Sequence, residues 1–370
     1  MQRLGRLDGL RGVLAVYVML GHAAPFTVLP AWATGWLSHG QAAVDLFFCL
    51  SGLVVINSLE RFRYRAAPFF LARARRLLPV YWFVLCVGVL VIAWGSPLAS
   101  MPWVKPGSAA RSDFWEIGLP RAFWWHFGAH VLLLQGVVPG GVLPWVYVTL
   151  LGPAWSLSAE WQFYGVMAAV MRPGRRLVWF AGALAGLAVL YRAGSGWLPE
   201  GWRFSRAFLP DAAGYFALGL ASAVWLRDRD FAPLAGVFLV AVGLGVWSGE
   251  PARGWIAAAW LVVLAAQFSD RVPVLPWLLD RPVVRFLGVV SYPLYLVNEP
   301  VQRAAAMLMA PLVHGDAAVF TAVWLPVAVA GPVAAAVGLH RWVEVPFAAT
   351  KAGVALFKRK TLPHGTHNPH

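Results

Sequence analysis

Arg11 and His22 lie eleven positions apart on an apolar stretch, Leu10 to Leu29, that is long enough to cross a bilayer. Eleven helical steps of about 100° return to within about 20° of the starting direction, so the two side chains share one face about 16 Å apart. This places Arg11 at the entrance of the stretch and His22 deep inside it. An imidazole inside a membrane helix is costly and such groups usually face a cavity, a pathway or a reaction site. A neutral ring hydrogen-bonded between packed helices is the other reading of His22. Imidazole chemistry at such a point is proton transfer or nucleophilic attack.

Four further positions carry chemistry. Asp45, near the start of the second apolar block, reads either as a helix cap or as the group that orients His22 or Arg11 in a hairpin of the first two spans. Arg73 and Arg76 form an R-x-x-R pair one turn apart, and guanidinium forks match phosphate oxygens, although topology setting accounts for many such basic runs. Glu160 falls several residues into a span, where a carboxylate must be paired, protonated or water-facing. Its neighbours Trp155, Trp161 and Tyr164 equally suit an interfacial aromatic belt. Asn298 and Glu299 precede Pro300 midway along another long span, an arrangement that frees backbone carbonyls towards a cavity or simply kinks the helix.

The elements that position these residues follow from composition. Of 370 residues 60% are hydrophobic and 12% charged, with a mean hydropathy of +0.65, too apolar for a soluble globular chain. The expectation is an all-α, polytopic membrane helical bundle of about ten transmembrane helices. The expected spans are 10–29, 42–59, 79–95, 155–171, 177–193, 208–226, 231–247, 255–268, 286–312 and 317–339. The formal net charge of +14 suggests nucleic acid at first sight, but the arginines gather in short runs between apolar blocks, where they set topology and touch anionic lipid. Arg3 and Arg6, the Arg61 to Arg76 run, Arg172 to Arg176, Arg227 and Arg229, Arg271 to Arg285 and the Arg341 to Lys360 tail all fall on one side if both termini are cytoplasmic.

Residues 123–138 read as a membrane-lying or re-entrant piece on the external side; three crossings between 123 and 171, twelve in all, also satisfy parity. Residues 96–121 suit an external loop, and 60–78, basic with interleaved aromatics, an interfacial helix. Arg3 and Arg6 before an apolar run have the look of a cleavable leader, but the apolar stretch continues past Ala24, and Asp8 and Arg11 are unusual for one. Cys49 and Cys86 each sit in an apolar block and read as buried small hydrophobes, without a disulfide framework or CxxC metal site. His364, His367 and His370 lie in a tail with mobile composition, and no metal site is expected. There is no internal repeat, GxGxxG fingerprint, Walker loop or second domain, so residues 1–350 are expected to form one integral membrane domain followed by a cytoplasmic tail, 351–370.

Taken in chain order, these landmarks resemble the acyltransferase 3 family of membrane acyltransferases. The matching pieces are Arg6-Leu7-Asp8-Gly9-Leu10-Arg11-Gly12 with His22; Val44-Asp45-Leu46-Phe47-Phe48-Cys49-Leu50-Ser51-Gly52; Arg73 with Arg76; Trp155-Ser156-Leu157-Ser158-Ala159-Glu160; Ser291-Tyr292-Pro293-Leu294-Tyr295-Leu296; and Glu344-Val345-Pro346-Phe347. Members often have histidine where this chain has Asn298, which removes a catalytic duty from that position and leaves Glu299 available. The family's fused extracytoplasmic esterase-like domain has no counterpart here.

The resemblance implies O-acylation of a glycan or related molecule, with Arg11, Arg73 and Arg76 meeting acyl-CoA, most simply acetyl-CoA, as co-substrate and no permanently bound cofactor. His22 is the expected base or acyl carrier, and Glu299 or Glu160 the group that sets its tautomer or meets the acceptor. Asp45, Trp155, Ser156, Tyr295 and Asn298 are the remaining expected substrate-binding positions. Expected partners are acyl-CoA, a glycan or lipid-linked glycan acceptor and membrane lipid, with no nucleic acid, in the bacterial cytoplasmic (inner) membrane. A multi-span transporter or flippase also places ionisable groups at mid-membrane. Against it stand the missing inverted repeat and the concentration of polar residues in four spans.

Overall fold

The computed structural model describes residues 2–104, 118–172, 177–268 and 274–348. The tail from 351, the loop charges Lys105, Arg111, Asp113 and Glu116, and Arg175, Arg176 and Arg271 lie outside the described residues. Among those described the chain is all-helical, with no strand. In chain order the helices are α1 (Gln2–Ala23), a short α2 (Ala31–Leu37), α3 (Gly40–Arg61), α4 (Ala66–Trp94), α5 (Phe123–Val131), α6 (Ala154–Val170), α7 (Leu177–Ser195), α8 (Leu209–Asp228), α9 (Ala232–Trp247), α10 (Ala252–Phe268), α11 (Val274–Leu279), α12 (Pro282–Val289), α13 (Ser291–Met309) and α14 (Ala317–Leu339).

Each expected span coincides with a helix, but six segments are long and apolar enough by themselves to cross a membrane: Arg6–Phe26, Ala31–Arg61, Ala66–Trp94, Leu177–Ser195, Leu209–Asp228 and Ala317–Ala348. Helices α9 and α10 are apolar but shorter, and α6 and α13 carry the polar residues that lower their hydropathy. Four expectations change. The basic segment from residue 60 is not a separate interfacial helix: the chain turns at Arg63 and Tyr64, both with positive φ, and α4 then runs unbroken through Pro79. Its buried positions Phe69, Leu77, Val80, Tyr81 and Val84 keep helical spacing across that proline, so packing outweighs the lost hydrogen bond. The expected span 286–312 is broken at Val290, between α12 and α13. Between Val131 and Ala154 there is no helix, and α5, with nine residues or about 13 Å of rise, is too short to cross, which removes the three-crossing alternative. Cys49 is buried, but Cys86 is exposed on the outward face of α4.

The core gathers around α3 and α8. Phe216 of α8 stacks on Phe163 of α6 at 4.1 Å and meets Phe48 of α3 at 4.8 Å. Helices α3 and α8 touch backbone to backbone: a Cβ on Gly219 would overlap the carbonyl oxygen of Cys49, and one on Gly52 that of Phe216. Small residues of this kind let membrane helices approach closely enough for dispersion to hold them. The same device docks α1, where a Cβ on Gly12 would lie 2.5 Å from the Val284 carbonyl oxygen and one on Gly288 would overlap that of Asp8. Gly12 and Gly9 therefore face α11 and α12, and Arg11, roughly 130° round the helix, is turned the other way.

Replacing Gly219 by Val should overpack the α3–α8 contact and cost about 3 kcal/mol or more. Gly236→Ala, at a position with open space, is the control and should be near neutral. Thermal midpoints of the two purified variants in detergent check this; equal midpoints would refute the close-packed interface.

Candidate active site

Two cavities lie in series along the bundle and share Tyr295. The first encloses about 730 Å³ including its mouth and is lined by Arg11 of α1, Ser51 of α3, Arg73 and Arg76 of α4, and Glu160 and Tyr164 of α6, among others. The second encloses about 1250 Å³ including its mouth and is lined by His22 of α1, Gln41 of α3, Trp145 and Trp155, Arg206, and Glu299 of α13, among others. Ser156 borders the first, Trp155 the second, and Tyr295 both. The Tyr295 hydroxyl is 2.8 Å from Ser156 Oγ and donates to the Pro153 carbonyl at 3.0 Å, with Phe47 edge-on to the ring at 6.0 Å. These contacts make the partition between the two spaces.

The first cavity is a cationic chamber with a carboxylate in its wall. Glu160 accepts hydrogen bonds from Ser51 Oγ at 2.6 Å and from the Tyr164 hydroxyl, which satisfy it without an arginine in contact. The Arg73 guanidinium lies 4.8 Å from the Tyr164 ring centre and 5.8 Å from that of Phe69, and its Nε has no hydrogen-bond partner. Arg76 Nε is 3.5 Å from buried Glu344, which also pairs with His340 at 2.8 Å. Glu344 ends the π-turn His340–Glu344 at the foot of α14, a backbone irregularity of the sort that recurs at functional sites. Tyr292 donates to the Leu77 carbonyl at 2.7 Å and closes the chamber between α4 and α13.

In the second cavity His22 Nδ1 lies 2.7 Å from Asn298 Oδ1. The amide is oriented by its own donors: Asn298 Nδ2 gives hydrogen bonds to the carbonyls of Leu294 at 3.2 Å and Tyr295 at 2.7 Å. With its nitrogen so occupied, Asn298 turns its oxygen to the ring, an acceptor that requires a proton on Nδ1. The neutral tautomer then carries its lone pair on Nε2. Glu299 shares this cavity; its carboxylate takes a backbone hydrogen bond from Gly152, while Oε2 has no partner. Buried Arg303 stands one turn further along α13 and donates to the Gly95 carbonyl at 2.7 Å.

Several expectations are rearranged. Within the apolar segment Arg6–Phe26, Arg11 is five residues from one end and His22 four from the other. Glu160 belongs with Arg11 and Arg73, not with His22, because α6 enters the bundle from the His22 end and position 160 is already in the far chamber. The group on His22 Nδ1 is Asn298, not Asp45, Glu160 or Glu299. Asp45 lines neither cavity: it lies one helical position past Val44, turned away from the second space, and hydrogen-bonds Gln41. Arg73, Arg76, Trp155, Ser156, Tyr295 and Glu299 do line the cavities. Arg206, Gln41, Trp145 and Tyr147 were not picked out from the sequence. Their signal was weak, although Arg203 and Arg206 fall on the side that the arginine pattern otherwise leaves poor in charge.

Comparison with known proteins agrees with this arrangement of motifs. The sequence pattern described as an acyltransferase domain matches residues 4–341. The exopolysaccharide production protein ExoZ of Rhizobium meliloti (strain 1021) is 27% identical over 200 residues, which is 51% of this chain and 43% of that relative. The match thus spans less than half the length of the curated relative. No solved structure matches.

The His22–Asn298 contact should appear as a coupling energy of about 1 kcal/mol in a cycle of His22→Phe, Asn298→Leu and the double variant. Chemical or thermal unfolding of the four proteins in one detergent measures it, and strictly additive effects would show that the pair does not interact.

Proposed function

The chain belongs to the acyltransferase domain family, and from that premise we propose that it transfers an acyl group, most simply acetyl, from acyl-CoA in the first cavity to a glycan hydroxyl in the second. The observation that carries the reading is the pair of chambers meeting at Tyr295, one lined by three arginines and the other by a histidine whose Nδ1 is held by Asn298. The name of the ExoZ relative supports an envelope polysaccharide, or its lipid-linked precursor, as acceptor.

Arg73 and Arg76 bind the phosphates of CoA, and Arg11 lies where the thioester end reaches the partition. The acceptor hydroxyl gives its proton to His22 Nε2 as its oxygen attacks the thioester carbonyl. The C–S bond then breaks, and the departing thiolate takes the proton back from His22. In the covalent variant Nε2 itself attacks the carbonyl and expels the CoA thiolate; the acceptor oxygen then displaces the imidazole, and the hydroxyl proton passes to the thiolate. Asn298 holds the ring through Nδ1 in either case, and Glu299 meets the acceptor's hydroxyls. The partition opens for transfer by giving up hydrogen bonds each worth about 1 kcal/mol net, so it need not be a permanent wall.

Orientation follows from charge. Arg227 pairs with Glu60 and Arg6 with Asp280, both at the end of the bundle that holds the first cavity. The arginine-rich connections cluster there too, so in this reading that end, with both termini, faces the cytoplasm, where CoA is found, and the second cavity faces outwards across the inner membrane.

Membranes incubated with radiolabelled acetyl-CoA test the reaction. Label should pass to a glycan acceptor or to His22, and His22→Ala should abolish transfer while leaving an inserted, folded protein. Retained transfer in that variant would refute the assignment, and label-free glycan with glycolipid movement would favour a flippase. In a second assay, Arg73→Gln with Arg76→Gln should raise the KM for acetyl-CoA about tenfold or more and leave the acceptor KM unchanged. An unchanged donor KM would remove the pair from CoA binding.

A further inference from the structure

A third space adjoins the second cavity at its outer side. This cleft, about 780 Å³ with its open mouth, lies between the end of α7 and the connection to α8, and is lined by Tyr191, Arg192, Ser195, Arg203, Ser205 and Arg206, with Asp211 at its floor. Arg206 lines both spaces, so the cleft and the His22 chamber adjoin at that side chain.

Its charges are not equivalent. Arg192 pairs with Glu250, and Asp211 is taken by Arg253 at 3.2 Å, which also holds Glu250 at 2.7 Å. Among the described residues Arg203 and Arg206 form no ion pair. Arg206 donates to the Gln41 amide oxygen, and its guanidinium stands 5.7 Å from the Trp155 ring centre. The Gln41 side chain in turn hydrogen-bonds Asp45. The Arg203 backbone is fixed by its carbonyl, which accepts from Gly140 N at 3.0 Å, while Gly141 N donates to Gly201 O at 3.0 Å. Two guanidinium groups in no ion pair thus line the cleft beside the His22 chamber, on the side where topology does not call for positive charge.

We propose that Arg203 and Arg206 bind an anionic oxygen group, carboxylate or phosphate, on the acceptor, so that the enzyme selects acidic glycans or phosphate-linked glycan carriers. The inference rests on the acyltransferase reading for the word acceptor; the anion site itself does not. Each arginine fork can donate to two oxygens, and the Trp155 face beside Arg206 provides a surface for a sugar ring between the anion and His22. A negative group on Arg206 therefore sets which hydroxyl reaches Nε2.

The test uses the purified full chain in nanodiscs, titrated calorimetrically with oligogalacturonate, with its neutral methyl ester, and with polyprenyl diphosphate. At least one anionic probe should bind about tenfold or more tightly than the ester, with affinity falling as salt rises. Arg203→Gln and the double variant with Arg206→Gln should lose that preference, while Arg227→Gln at the other end retains it. Preference for oligogalacturonate places the charge on the glycan, and preference for the diphosphate places it on the carrier. Equal binding of acid and ester with no diphosphate binding, or undiminished binding by the double variant, overturns the proposal. Thermal midpoints of the variants separate loss of the site from loss of the fold. Anion binding intact with no acetyl transfer would reject the acyltransferase reading alone; transfer intact without anion selection would reject the cleft alone.

Discussion

Polar groups inside an apolar bundle must find their partners within the chain, and one helix carries several of them here. Helix α13 carries Tyr292, Tyr295, Asn298, Gln302 and Arg303, and these bond to α1, α4 and the residue after it, the turn before α6, and α14. Gln302 alone donates to the carbonyls of Met19 and Ala328 at 3.0 and 3.1 Å, joining three helices at one amide. A hydrophobic surface would give no orientation to such contacts, because lipid tails solvate it as well as protein does. Directed hydrogen bonds do give orientation.

The same constraint divides the interior. Tyr295 bonds to Ser156 and the Pro153 carbonyl because its hydroxyl cannot stay unsatisfied between helices, and in doing so it closes one chamber from the next. Asn298 spends its amide protons on α13 carbonyls and is left with an acceptor for His22. A histidine at position 298 would place a second titratable ring there. The amide instead holds the His22 tautomer without changing charge.

Small residues set the other half of the geometry. Gly9 and Gly12 lie in the Arg6 to Gly12 motif on either side of Arg11 because α1 must meet α11 and α12 at backbone distance, and that contact fixes which way Arg11 points. Gly52 does the same for α3 against α8, with Phe47 and Ser51 of that motif left to line the first cavity. A motif that reads as a run of reactive residues is therefore part spacer and part reagent.

Local rules were enough for the helices, since apolar blocks of spanning length, their polar interruptions and the arginine-rich connections are properties of contiguous residues. They also singled out Arg11, His22, Glu160 and Glu299, because an ionisable group in an apolar block is anomalous wherever it folds, and Arg73 with Arg76 by their spacing of one turn. Which groups meet was beyond them. Residues 22 and 298 are far apart in the chain, and only the docking of α1 on α13 decides that Asn298, and neither Asp45 nor Glu160, reaches the imidazole. The continuity of α4 through Pro79, the placement of Glu160 in the far chamber and the two arginines at the rim likewise depend on packing between helices. Sequence determined that charge is buried in a membrane bundle, since hydropathy is a local sum; tertiary structure decided which charge faces which, since helix rotation and approach are set by neighbours distant in the chain.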